Sequence, residues 1–279
     1  MSAVLDPLKY EFFVRALGAS MLVGLVCAVI GTYMVLRGLA FMGDALSHSA
    51  FPGVVAAYLL RAPFYLGATI AAVGTALAIG WITRRGQLRS DTAIGVLFAG
   101  MFAFGIFLFS TIPHYVGDLF GFLFGQPLGI SASDLAALAV LSVIVLGIVA
   151  VLWKELLYST FDPLSAAASG LPVVVLDYLF LALIALTIVI SLQAVGIILV
   201  VAMLVTPAAT AQLMADRFSR MLAIAVGIGI VAPIIGLYIS FWTNTASGAV
   251  VVLVESVMFL VAVGISPRSG LFRRRRIAS

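Results

Sequence analysis

An all-α polytopic membrane protein is predicted by three features of the sequence. Of its 279 residues, 64% are hydrophobic and only 9% charged, whereas soluble domains carry about 25% charged residues. Apolar runs near the ~20 residues needed to cross a bilayer recur from end to end. The connections between them are too short for an appended soluble domain, so 1–279 reads as a single transmembrane domain. Composition also excludes several functions. The single cysteine, Cys27, rules out a disulfide framework and a cysteine cluster for zinc or iron-sulfur chemistry. The formal charge of +4 comes from basic residues scattered over connections, which argues against a nucleic-acid partner and for a topology signal.

The first run, 12–36, exceeds a signal-peptide core and follows Asp6 and Glu11, so it is expected to persist as the first span. Runs at 40–60, 64–83, 92–112, 135–153 and 173–192 follow, each near the length that crosses ~30 Å of hydrocarbon. A shorter run at 195–205 is expected to stop at Thr206-Pro207, because proline cannot donate to the helical ladder. Spans at 221–242 and 248–265 complete the series. The total is about nine, or eight if 195–205 does not cross.

Lys and Arg are in excess on the cytoplasmic side of membrane proteins. Nine alternating spans with the Arg-rich tail, 267–279, inside place twelve of the fifteen basic residues there, leaving Lys9, Arg15 and Arg61 outside. The C-terminus is then cytoplasmic and the N-terminus outside. Two connections on this inner face carry helix-start chemistry. In 161–172, Asp162 is a predicted N-cap, Pro163 occupies the first helical position, and Gly170 with Pro172 marks the stop. In 207–220, Thr206 is a predicted cap and Pro207 the first helical residue of an alanine-rich helix through Ala208, Ala209, Thr210 and Ala211 towards Arg217. Each is either a plain connector or a compact docking surface for a cytoplasmic partner.

Ionisable residues inside the membrane are few and point to function. Asp44 and His48 stand four apart near the start of the second span, a spacing that stacks both on one helical face. Carboxylate and imidazole together suit a divalent transition metal. Two donors are too few for a tight structural site, which favours an ion that must leave again. The alternative is an Asp-His hydrogen bond that only pins the helix. Glu255, eight residues into the last span, is costly there unless protonated or paired, and either lines a pathway or bonds a neighbouring helix. His114 and Asp118 fall in the outside connection, as an entrance funnel for a cation or as ordinary solvated loop residues.

Several segments together resemble one family. They are Gly31-Thr32-Tyr33-Met34-Val35-Leu36-Arg37, Ala40-Phe41-Met42-Gly43-Asp44-Ala45-Leu46-Ser47-His48 with Pro52-Gly53, Asp118-Leu119, Leu123-Phe124-Gly125 and Ser133-Asp134-Leu135, then Phe161-Asp162-Pro163, Ala168-Ser169-Gly170 and Pro207-Ala208-Ala209-Thr210-Ala211. In this order, over about residues 10–265, they are similar to the permease subunits of manganese, zinc and iron ABC importers. The layout is also similar, more faintly, to permeases for vitamin B12 and ferric siderophores. Ala246-Ser247-Gly248 departs from the Pro-Ser-Gly expected of the family.

The resemblance implies a homodimeric permease in a bacterial inner or plasma membrane, in contact with lipid. It would be fed by an extracytoplasmic metal-binding protein and driven by a separate ATP-binding cassette subunit. Asp44 and His48 become transient metal ligands, with Glu255, His114 and Asp118 as pathway or entrance candidates. Segments 161–172 and 207–220 become the ATPase-facing helices. The chain is not expected to be an enzyme itself: it contains no Gly-x-x-x-x-Gly-Lys-Ser/Thr, so ATP must bind elsewhere. Three rivals predict different things. A chelate permease keeps the architecture without needing Asp44 and His48, a secondary transporter needs no ATPase, and an intramembrane metalloenzyme needs more ligands than two histidines supply.

Overall fold

The computed structural model describes residues 6–86, 89–112 and 130–266. After a 3-10 turn at Pro7–Lys9, helix follows helix: α1 (Glu11–Leu36), α2 (Ala40–Leu59), α3 (Phe64–Arg85), α4 (Ser90–Ser110), α5 (Ala132–Val151), α6 (Trp153–Phe161), α7 (Pro163–Ala168), α8 (Val173–Met214), α9 (Phe218–Thr243) and α10 (Ser247–Ile265). No strand occurs among the described residues.

Apolar attraction cannot hold helices together in lipid, because lipid tails are as apolar as leucine; close backbone approach and internal polar contacts do that work. Gly24 of α1 faces Gly229 of α9 so closely that a Cβ on either would collide with the other's carbonyl, and Gly53 of α2 meets Gly67 of α3 in the same way. The two crossings organise two groups, α1 with α8, α9 and α10, and α2 with α3 and α4. Helix α8 touches members of both groups.

Helix α8 is two legs. Cys27 Sγ lies 3.8 Å from Ser191 Oγ, while Arg37 bonds Asp177, so the first leg runs antiparallel to α1. Leu204 then abuts Gly31, and Leu213 accepts a 2.7 Å hydrogen bond from Ser266 just beyond α10, so the second leg returns towards the end it left. The reversal falls at Gly196, with φ 81° and ψ 168°, a backbone region essentially restricted to glycine.

This corrects three expectations. The short run expected at 195–205 is a leg of 21 residues, Ala194–Met214. Pro207 sits inside it, not at its start, and Thr206 is no N-cap. Thr-Pro reads as a start in water, but a membrane helix tolerates proline because neighbouring packing compensates for the lost bond. The helix expected over 207–220 is therefore the end of α8, a turn at 215–217 and the start of α9. Eight described helical segments are long and apolar enough to span, including both legs of α8. Helix α2, although 20 residues long, is not among them, because Asp44, Ser47, His48, Ser49 and Pro52 lower its hydropathy. The span expected at 135–153 ends at Val151, and α6 follows as a separate helix that hydropathy had not resolved.

Candidate functional site

Helix α1 ends in a Schellman turn. Gly38 has φ 70°, its N–H reaches Val35 O at 3.1 Å, and Leu39 N–H reaches Met34 O at 2.9 Å. The chain reverses at once into α2, so Asp44 and His48 occupy its opening turns. His48 Nδ1 lies 3.0 Å from the Asp44 backbone oxygen and 3.4 Å from Asp44 Oδ1. Both neighbours are acceptors, so Nδ1 carries the hydrogen and Nε2 holds the lone pair of the neutral ring. A ring oriented in this way is a prepared metal donor. Phe98 and Phe102 of α4 stand edge-on to it, at 5.2 and 5.4 Å between centroids, and fix its tilt. The Asp44 side chain is 51% exposed and that of His48 is 21% exposed, so the pair opens to a surface of the protomer.

The adjacent Ser47 and Ser49 are fully buried and are not presented to the surface with the pair. Ser47 Oγ donates to Gly43 O at 2.8 Å and Ser49 Oγ to Ala45 O at 2.7 Å, each within the helix. No group of three or more His, Cys, Asp or Glu converges among the described residues. The pair is thus a two-donor site, suited to transient contact.

Other candidates fall elsewhere. Glu255 is 0% exposed and both its carboxyl oxygens are buried without a hydrogen-bond partner. It sits within electrostatic reach of Cys27, inside the protomer, so it does not join Asp44 and His48 or line the protomer surface. His114 and Asp118 lie outside the described residues, as does the basic tail 267–279. Asp162 caps α7 as the sequence predicts, accepting from Ser165 N–H at 2.9 Å with Pro163 at the first position, and Gly170 has φ 88°. The Ser165 hydroxyl and backbone N–H hold the Asp162 carboxyl below its usual pKa. In the other segment Pro207, Ala208, Thr210 and Ala211 are buried and Ala209 is half-buried, while Gln212, Met214, Asp216 and Arg217 are exposed. Ala211 packs in a cluster with Ala28, Ala215, Met221 and Ala225. Of the alanines expected on a docking face, Ala208 and Ala211 are internal packing instead.

One group escaped the sequence. Arg37 bonds Asp177 at 2.8 Å, Thr160 at 2.9 Å and Ser159 at 2.9 Å, and lies 4.5 Å from the Phe180 ring centre. Arg84 pairs with the other oxygen of Asp177. Only the arginine itself was a signal, because its partners lie 122 to 140 residues away.

A helical bundle of this hydropathy, with eight segments long and apolar enough to cross a bilayer among the described residues, defines a multi-pass membrane protein. Residues 9–266 match the ABC 3 transport family, and the chain belongs to it. It is 45% identical, over 96% of its length and 91% of the relative, to the manganese transport system membrane protein MntC of Halalkalibacterium halodurans. It is 40% identical to the chelated iron transport system membrane protein YfeD of Yersinia pestis, over 94% of this chain and 88% of that one. Among solved structures, PsaBC from Streptococcus pneumoniae in complex with Fab superposes with a TM-score of 0.87, at 35% identity over 98% of both chains. A putative metal-chelate type ABC transporter in an inward-facing conformation shares the fold at a TM-score of 0.71 and 16% identity, over 90% of this chain and 85% of the other.

Proposed function

We propose that this chain is the membrane-spanning subunit of an ATP-driven importer for a divalent transition metal, manganese or iron before zinc. The observation that carries this reading is the oriented Asp44-His48 pair, with its free imidazole nitrogen, in a chain 45% identical to a manganese transport membrane protein. Two such donors hold an ion loosely enough to release it. A second copy of the chain forms the pathway with the first, and an extracytoplasmic binding protein delivers the ion. A separate ATP-binding cassette subunit supplies the work. Cells lacking their own manganese and iron importers, given this chain with its cassette and binding protein, are expected to regain uptake of one of these metals. Restored growth on a metal chelate alone, with no uptake of the free ion, would contradict the reading.

The end carrying Arg37, Arg84 and Arg85 is the cytoplasmic one, supported by the arginine bias. Arg84 at the end of α3 meets Asp177 beside Arg37, so α2 crosses together with the eight apolar segments, and nine passes leave the N-terminus outside and the C-terminus inside. In a Cys27-replaced background, a cysteine at Asn244, which ends α9 in the left-handed region, is expected to be labelled from outside. Labelling only from inside would reverse the orientation.

The ATPase-facing surface is α7, from Pro163 to the turn at Gly170, together with the exposed turn around Arg217. Arg217→Glu is expected to leave the permease folded but weaken co-purification of the cassette about tenfold, since reversing a rim charge opposes association. Ala211→Glu is expected instead to lower the yield of folded permease, because it forces a charge into the Ala28, Ala215 and Met221 cluster. Pull-down and detergent-extracted yield, measured on both variants, separate the two effects.

A further inference from the structure

The proposal begins from a mechanical gap. If a separate subunit supplies the work at α7 and the Arg217 turn, displacement there has to reach α2, where Asp44 and His48 stand. Helix α7 makes no direct path to α2 in sequence: α6 precedes it and α8 follows it.

Arg37 joins these parts. Its Nε donates to Thr160 Oγ1 at 2.9 Å and its Nη2 to Ser159 Oγ at 2.9 Å, both on α6, the helix that runs directly into α7. Its Nη1 donates to Asp177 Oδ1 at 2.8 Å, in the opening turns of α8 just after α7. The two hydroxyls are free to accept because each donates its own hydrogen to Leu156 O, at 3.1 Å from Ser159 and 2.6 Å from Thr160. The guanidinium also covers the Phe180 face, and its side chain is only 11% exposed. A planar fork held at three points and on one face has little freedom to rotate. Asp177 is in turn paired with Arg84 at the end of α3. On its other side Arg37 is the C-cap of α1 within the Schellman turn, and Asp44 follows seven residues later.

The junction therefore grips both flanks of α7 and the root of α2. Beside it lies a cavity of about 420 Å³, lined by residues that include Leu39 and Met42 at the α2 root, Ser90 of α4 and Pro163 of α7. Close-packed interiors resist displacement; space at this position leaves the α2 root room to move relative to α7.

We propose that Arg37 is the positioning residue that couples movement of the inner surface helices to the metal-bearing helix. It acts through Ser159, Thr160 and Asp177 and does not touch the ion. This rests on the importer reading above.

The test uses the full complex of permease and cassette in proteoliposomes, reading ATP turnover and manganese uptake side by side for the wild type, Arg37→Lys and Arg37→Ala. Arg37→Lys keeps the charge opposite Asp177 but cannot serve three acceptors in one plane. The expected result is ATP turnover within about twofold of wild type, with uptake per ATP reduced about tenfold or more in Arg37→Ala and less in Arg37→Lys. If Arg37→Ala does not assemble, Arg37→Lys alone decides, by the same ratio. Unchanged uptake per ATP in every assembled variant would overturn the proposal, as would a fall of turnover and uptake in proportion, which marks a merely structural residue. Failure of the wild-type complex to import manganese, iron or zinc would instead overturn the importer reading and is seen before any variant is compared.

Discussion

Replacing His48 by Ala is expected to reduce metal uptake about tenfold or more, since even partners that only orient a ligand are worth 10- to 100-fold, while the protein still accumulates and assembles. The expectation follows from geometry. The ring is packed by Phe98 and Phe102 at its edges but is not deeply buried, and its polar partner is within its own helix. Removing it takes away those two ring contacts and the bond within its own helix, and leaves the glycine crossings that hold α2 on α3 in place. Asp44→Asn is expected to act in the same direction, because an amide can retain a hydrogen bond to Nδ1 but cannot supply a negative donor to a cation. A pair that served only to pin α2 would show the reverse pattern, with poor expression and normal specific uptake in what remains. Uptake per assembled complex, with protein measured in the same vesicles, distinguishes the two.

Gly24→Val is expected to have the largest effect on folding. A Cβ at Gly24 falls inside the envelope of the Gly229 carbonyl, and backbone cannot give way as a flexible side chain can. Helices α1 and α9 must separate, and α1 also carries the Gly31 contact with Leu204 and the Arg37 junction. Overpacking costs about 1–3 kcal/mol even where side chains yield, so a clash of two backbones should exceed that. Thermal unfolding in detergent checks it, with Gly18→Ala as the control on the same helix, since nothing lies within 4 Å of a Cβ there. A melting temperature for Gly24→Val equal to that of the control would refute the assigned crossing.

The spans were legible because hydrocarbon imposes length and apolarity on any helix that crosses it. Asp44 and His48 were legible because a spacing of four puts both on one face within an apolar background. Pro207 misled because the Thr-Pro start signal is a rule of helices that begin in water, and here the helix runs through it, packed on Ala28 and Met221 by way of Ala211. Helix α6 was hidden because only Leu152 separates it from the preceding span. The Arg37 junction was beyond reach, since Ser159, Thr160 and Asp177 meet it only after the chain has crossed the bundle and returned. Glu255 shows the same limit: its place in the sequence tells its depth in a helix, whereas its enclosure depends on how α10 packs against α8 and α9.

The most direct measurement is uptake of manganese, iron, zinc and cobalt into proteoliposomes holding this chain with its ATP-binding subunit and its metal-binding protein, with ATP present or absent. Uptake of manganese or iron that requires ATP and is lost in the Asp44→Asn, His48→Ala double variant is the expected result. Uptake that proceeds without ATP, or that survives intact in the double variant, would contradict an importer that passes its ion across Asp44 and His48.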